Sequence, residues 1–250
     1  MNLILLEPHE VSPAGSAALC DGRAVHIRTV LGAAVGDRLR VGVVDGPLGE
    51  GTVTGLDGDV VALDCRFTGE APARAPIDLV LAVPRPKVLR RLWAQLAAMG
   101  VHRIVLTNAE RVERPYFDTH FLDPAVVRPL LLEGLQQARD TRVPLVSVHR
   151  RFRVLVEDEL DTLTDASRRV VLHPGDRAGL EQVAGAWRGQ RVCVAIGPEG
   201  GWNAFELDLL RGRGFVAADL GPRTLRTDTA CIAVLAVLHS ALRGTTAAAP

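Results

Sequence analysis

The sequence predicts an α/β protein: a mostly parallel sheet with helices, preceded by a small β-barrel. Three observations predict it. The first 68 or so residues carry short, partly alternating apolar runs broken by tight-turn dipeptides. Beyond residue 76, strand-like runs alternate with stretches of helical period, the pattern of a parallel sheet covered by helices. Between the two lies Gly69-Glu70-Ala71-Pro72-Ala73-Arg74-Ala75-Pro76, with two prolines and no bulky apolar side chain, which reads as a linker. The expected organisation is a barrel over residues 1–70, an α/β domain over 77–243 and a disordered tail over 244–250.

Each element has its own justification. Arg38–Val44 partly alternates and ends in Asp45-Gly46, a hairpin signal. Gly51–Leu56 and Asp59–Phe67 follow as strands, separated by Asp57-Gly58. Ile77–Val83 is a strand. Lys87–Met99 is a helix with Val88, Leu89, Leu92, Trp93 and Leu96 on one face and Gly100 as its C′ residue. Val101–Thr107 is a strand, Val126–Arg139 a helix, and Leu145–Val148 and Val170–Leu172 are strands. Val192–Ile196 is a strand followed by helix Ala204–Gly212, then strand Phe215–Leu220 and helix Asp228–Arg243. That last helix is apolar nearly all round, so it is either central or pressed against a partner.

Composition narrows the function. The chain is 48% hydrophobic and 23% charged, so it can bury a core and is not a disordered chain. Its longest apolar stretch, near Cys231–Leu238, is far short of a membrane span, and no secretory signal is expected, which points to the cytoplasm. Cys20, Cys65, Cys193 and Cys231 lie far apart with no C-x-x-C, and read as small buried hydrophobes; no metal is expected. With 29 basic and 29 acidic residues, a nucleic-acid partner has to be held by clustered charge.

Three strand ends share one pattern: His173-Pro174, Gly197-Pro198 and Gly221-Pro222. Ligands of open α/β sheets sit beyond the carboxyl ends of strands, so three such turns at one edge read as one small-molecule pocket. The loop Gly197-Pro198-Glu199-Gly200-Gly201-Trp202 is neither a P-loop nor a dinucleotide fingerprint. Asn203 as N-cap and Glu206 at N3 form a capping box, with Trp202 and Leu207 as a hydrophobic staple, so Glu206 and Trp202 read as structural. Glu199 is a candidate for chemistry. Arg223 and Arg226 follow the third turn, in a loop fixed by a Thr227 or Asp228 cap, and point to a polyanion beside the pocket. A second basic cluster, Arg85, Lys87, Arg90 and Arg91, has no acid between Val83 and Gly100; Arg23, His26 and Arg28 add charge in the N-terminal part. Both are candidate RNA contacts.

These residues resemble the RsmE family of 16S ribosomal RNA methyltransferases, of the SPOUT superfamily. The likeness rests on Ile196-Gly197-Pro198-Glu199-Gly200-Gly201-Trp202 with Glu206, and on Leu220-Gly221 with Leu225-Arg226-Thr227-Asp228-Thr229-Ala230. His26-Ile27-Arg28-Thr29-Val30-Leu31 with Gly36-Asp37 is similar to the entry of the family's PUA-like domain. The middle departs: Ala98-Met99-Gly100 stands where the family has Glu-Leu-Gly, and Glu133–Asp140 keeps Gln137 but not the family's small Ser-Gly pair.

The resemblance implies a trefoil-knotted domain, S-adenosylmethionine as cofactor, a homodimer, and methylation of uridine N3 in the 16S rRNA of the 30S subunit, with no membrane partner. Carried over by position, cofactor contacts come from Leu172, His173, Ile196, Gly197, Gly201, Leu220 and Leu225. Arg226, Glu199 and Arg223 surround the target base, Arg226 stabilising developing charge and Glu199 handling the proton. Two other readings are a SPOUT enzyme acting elsewhere on RNA, such as a ribose 2′-hydroxyl, and a catalytically silent RNA-binding or ribosome-assembly protein.

Overall fold

The computed structural model describes residues 3–175 and 178–243; the expected tail over 244–250 lies outside them. The chain divides into two compact units. The first comprises the residues up to Arg74 together with Leu131–Val143, and the second comprises Ala75–Leu130 and the chain from Pro144 onward.

The first unit is a curled sheet built from β1 (Ile4–Leu6), β2 (Ser16–Leu19), β3 (Arg38–Val43), β4 (Leu48–Asp57) and β5 (Val60–Phe67), with helix α1 (Gly22–Thr29). The strand order is β1-β3-β4-β5-β2. β1 runs parallel to β3 and the remaining pairs are antiparallel. Ile4, Leu6, Leu19, Val41, Val53 and Leu63 form its core, closed by Ala24 and Ile27 of α1. The helix corrects the all-β expectation for this stretch. It starts because the Asp21 carboxylate accepts the Arg23 amide at 2.9 Å, a side-chain N-cap that precedes only two buried apolar positions. Its amphipathic signal is therefore too weak to register as a period.

Two backbone features of this unit involve the later segment. Thr141 Oγ donates to the Gly46 carbonyl at 2.6 Å, and the Asp45 amide donates to the Thr141 carbonyl at 2.8 Å. The β3–β4 turn, with Asp45 at φ 55°, is thus held from outside as well as by its own geometry.

The second unit contains β6 (Ile77–Ala82), α2 (Pro86–Ala98), β7 (Arg103–Thr107), α3 (Pro124–Ala138), β8 (Leu145–His149), the short α4 (Phe152–Val154), α5 (Leu160–Leu163), β9 (Arg168–Leu172), α6 (Leu180–Ala184), β10 (Val192–Ile196), α7 (Ala204–Gly212), β11 (Val216–Ala218) and α8 (Thr227–Leu242). The second half of α3, from Leu131, groups with the first unit. A π-helical turn, Leu155–Glu159, joins α4 to α5. The strand order is β11-β9-β10-β6-β7-β8, parallel throughout. The fold is therefore mixed α/β, with a parallel sheet and a separate curled sheet. β6 and β10 are buried along their whole length, as unalternating apolar strands of a parallel sheet must be. The one acid among them, Asp78, faces Arg191 at 3.3 Å; burial pushes its carboxyl pKa up and the arginine opposes that shift.

α2 buries Leu89, Leu92, Trp93 and Leu96, and the Trp93 indole donates to the Phe121 carbonyl at 3.0 Å. Gly100 ends it at φ 72°, a conformation that only glycine takes cheaply. α8 packs on α2, α6 and β10, burying Cys231, Val234, Leu235 and Leu238. The N-cap residue of α8 is Arg226, in extended backbone and without a side-chain cap, while the Asp228 carboxylate accepts the Thr229 amide of the first turn at 3.0 Å. Three cysteines are buried as expected, but Cys20 is exposed. Among the described residues no helix is long and apolar enough to cross a membrane.

Candidate active site

β11, β9 and β10 are parallel neighbours, so their carboxyl ends meet at one edge of the sheet. The three turns that leave them enclose a cavity of about 290 Å³. Leu172 and His173 come from the end of β9, Ile196 to Trp202 from the end of β10, and Asp219 to Gly221 with Arg223 to Leu225 from the end of β11, with Thr227 and Ala230 from the start of α8. The seven residues expected to hold a cofactor, Leu172, His173, Ile196, Gly197, Gly201, Leu220 and Leu225, all line this one cavity.

The β10 loop is rigid for reasons visible in its sequence. Asn203 Oδ1 accepts the Glu206 amide at 2.8 Å, and Glu206 Oε2 accepts the Asn203 amide at 2.9 Å, completing the capping box. The other Glu206 oxygen accepts the Glu110 amide at 2.7 Å, tying the loop after β7 to the start of α7. Glu206 is 3% exposed and stands outside the cavity lining, so it is structural. The Trp202 ring is buried, packs on Phe152 with centroids 5.3 Å apart, and forms a wall of the cavity. Gly201, at φ 75°, closes a turn in which its amide donates to the Pro198 carbonyl at 2.8 Å.

Two polar atoms of lining residues are buried without a partner among the described residues: His173 Nδ1 and Trp202 Nε1. Buried polar atoms are ordinarily satisfied, so two orphans among the residues lining one cavity are exceptions to that rule. The charged groups stand at its rim. Glu199 is a lining residue whose Oε2 pairs with Arg85 Nε at 2.8 Å. Arg223 lines the cavity; Arg226 does not, although it lies three residues on and is likewise exposed. Arg111, which sequence reasoning missed, also lines the cavity and donates to the Gly200 carbonyl. It sits four residues past the end of β7, where the rule that ligands gather beyond strand ends would have flagged it.

The two basic clusters fare differently from what their charge predicts. Of the α2 cluster, Arg85 is paired with Glu199 on the β10 loop and Arg91 with Asp228 in the first turn of α8, at 2.9 Å. Lys87 and Arg90 are exposed and have no charged partner among the described residues. In the first unit, Arg23 is withdrawn from the expected RNA role: its guanidinium is held by Glu10 at 2.5 Å and Asp21 at 2.6 Å and donates to the Leu5 carbonyl. Arg28 is exposed, 3.7 Å from Asp59, and bonds the Gly58 carbonyl. His26 is half-buried with Nε2 unpartnered, and desolvation lowers its pKa.

Residues 71–239 match the family model described as an RNA methyltransferase domain. The chain is 32% identical to the ribosomal RNA small subunit methyltransferase E of Treponema pallidum, over 95% of this chain and 90% of that protein. It is 28% identical to the methyltransferase E of Mycobacterium bovis, over 88% and 85% of the two chains. The fold is shared with the Neisseria gonorrhoeae methyltransferase E bound to S-adenosyl methionine, at 20% identity, TM-score 0.76 and coverage of 97% and 98%. It is shared too with a Legionella pneumophila methyltransferase in complex with the same cofactor, at 22% identity, TM-score 0.76 and coverage of 96% and 97%. A cavity walled by three strand-end turns, on a chain so similar from end to end, leaves one assignment: the protein belongs to the RNA methyltransferase family that contains ribosomal RNA small subunit methyltransferase E.

Proposed function

We propose that this chain is an S-adenosylmethionine-dependent methyltransferase that modifies N3 of a uridine in 16S rRNA of the small ribosomal subunit. The observation that carries the reading is the cavity itself, with the orphaned His173 Nδ1 and Trp202 Nε1 beside it and Arg223 at its rim. The residues present fit the cofactor. An adenosyl group needs an apolar slot with a few polar contacts, and Leu172, Ile196, Leu220 and Leu225 supply the slot. The unpartnered nitrogens supply polar contacts, and Gly221, where an added Cβ would meet nothing, leaves room for backbone approach. The relatives bound to this cofactor support the same assignment.

The bound cofactor supplies an electrophilic methyl group on sulfonium, so the protein has to align a nucleophile and manage one proton. Uracil N3 carries that proton. Glu199, at the rim, is the carboxylate that accepts or positions it, directly or through water. Charge then develops on the base, and Arg226 stabilises it, with Arg223 orienting the RNA beside the cavity. Within the second unit, Lys87 and Arg90 offer exposed cations to the phosphates, and within the first unit Arg28 offers another.

A trefoil knot in the second unit is supported by its strand order, in which β10 inserts between β6 and β9 and β11 lies beyond β9. A PUA-like identity for the first unit is supported by its five-stranded curled sheet. A homodimer is supported by Leu225, which lines the cavity yet is 37% exposed, as a residue awaiting a partner would be. Action on ribosomal RNA fits a cytoplasmic location. Incubation of purified 30S subunits with labelled cofactor, followed by mass spectrometry of the modified nucleoside, tests the proposal. Base-methylated uridine is expected; a ribose methyl, or no incorporation, would overturn it.

A further inference from the structure

We infer that the Arg85–Glu199 ion pair is an exchangeable latch, in which an RNA phosphate takes Arg85 and so releases the Glu199 carboxylate at the cavity rim. The inference rests on the reading that the substrate is RNA.

The pair joins the two kinds of residue the reaction needs, a cation for the backbone and an acid for the base, at 2.8 Å. Held together, each blocks the other. Both side chains are largely open to water, 62% and 39% exposed, and exposed pairs bias an equilibrium by no more than about fivefold. An incoming phosphate, doubly able to accept from a guanidinium, competes easily on those terms.

The setting favours that exchange. Arg85 is the N-cap residue of α2 and makes no side-chain cap, and Lys87 follows in the first turn. Cations at a helix N-terminus oppose the macrodipole, whereas an anion lying there satisfies the dipole and the cations together. In the RNA-free chain, Glu199 is the anion beside Arg85. The neighbouring Arg91–Asp228 pair is built otherwise: Asp228 is 21% exposed and its second oxygen accepts the Thr229 amide, so it stays fixed. Arg85 is thus a positioning residue whose engagement by RNA raises the fraction of free carboxylate by up to about fivefold.

The test measures affinity of the full chain for purified 30S subunits across a salt series, for the parent, E199Q, R85A and the double variant, with melting curves as a fold control. Freed of its carboxylate, Arg85 in E199Q should bind RNA about two- to fivefold tighter. R85A should weaken binding and flatten the slope of log K against log salt by about 0.7–0.9. E199Q should bring no gain in the R85A background. An equal gain in both backgrounds, no gain in either, or an unchanged slope in R85A with tight parental binding would overturn the latch alone. Parental chain that fails to bind 30S subunits would overturn the functional reading with it. R85K, which keeps the charge, should keep the slope, and R85Q replaces R85A if the alanine variant does not fold.

Discussion

Gly197 lies so close to Trp202 that a Cβ added there would stand 3.0 Å from the indole Nε1 and 3.1 Å from Cδ1. The ring cannot give way, because it is 3% exposed and packed on Phe152. Gly197→Ala is therefore expected to displace a cavity wall and weaken cofactor binding by about tenfold or more, the scale of overpacking a tight site. Calorimetric titration with S-adenosylmethionine checks this, with melting temperature as the control.

Glu206 serves two segments at once. Glu206→Ala removes the acceptor for both the Asn203 and the Glu110 amides, and is expected to cost about 2 kcal/mol of stability. Asn203→Ala, which removes only the cap, should cost about 1 kcal/mol. Urea denaturation of the two variants ranks them.

The two loop arginines should separate in kinetics. Arg226→Ala is expected to lower turnover by about a hundredfold, as loss of a charge-stabilising donor does, with cofactor affinity unchanged. Arg223→Ala should act mainly on KM for the 30S substrate. Full methyl transfer by Arg226→Ala would remove that residue from the chemistry.

In the first unit, Arg23 sets an acid limit. Its hydrogen bonds hold the Glu10 and Asp21 carboxyls below their ordinary pKa values of 4.5 and 3.8. Folded-state values below the unfolded ones mean that the stabilisation is complete above the ordinary pKa and is lost as pH falls through the depressed ones. Stability should therefore decline below about pH 5, and Arg23→Met should flatten that decline. A pH series of urea midpoints for the two proteins measures the difference.

Thiol chemistry should be confined to one position. Burial pushes the Cys193 and Cys231 thiols up to about 12 and Cys65 up to about 11, while Cys20 is exposed. Native protein should show one fast-reacting thiol with a maleimide probe, and Cys20→Ser should abolish it.

The site was more legible than the frame around it. Gly197–Trp202 and Leu220–Ala230 encode their turns locally, through glycine, proline and a capping box, so their residues could be read without tertiary information. β1, with three consecutive buried residues, carries no alternation, and the stretch from Phe152 to Leu163 mixes α and π turns, which no single period describes. The acids opposite Arg85 and Arg91 were invisible for another reason: Glu199 and Asp228 lie more than a hundred residues away, so a run of charge that reads as an open basic face is half neutralised by topology. Arg23 was misread likewise, since one of its acids, Glu10, precedes it on a different element.

The division of α3 has a consequence for biogenesis. Because Leu131–Val143 completes the first unit, and Thr141 and Arg142 hold the Asp45–Gly46 turn, that unit is not finished when residue 74 emerges from the ribosome. It must wait for residue 143, by which point β6, β7 and α2 have already been synthesised. Domains commonly fold as units from the N-terminus during synthesis. Here vectorial folding is interrupted: the sheet made first is closed by a segment made later, and the two units mature together.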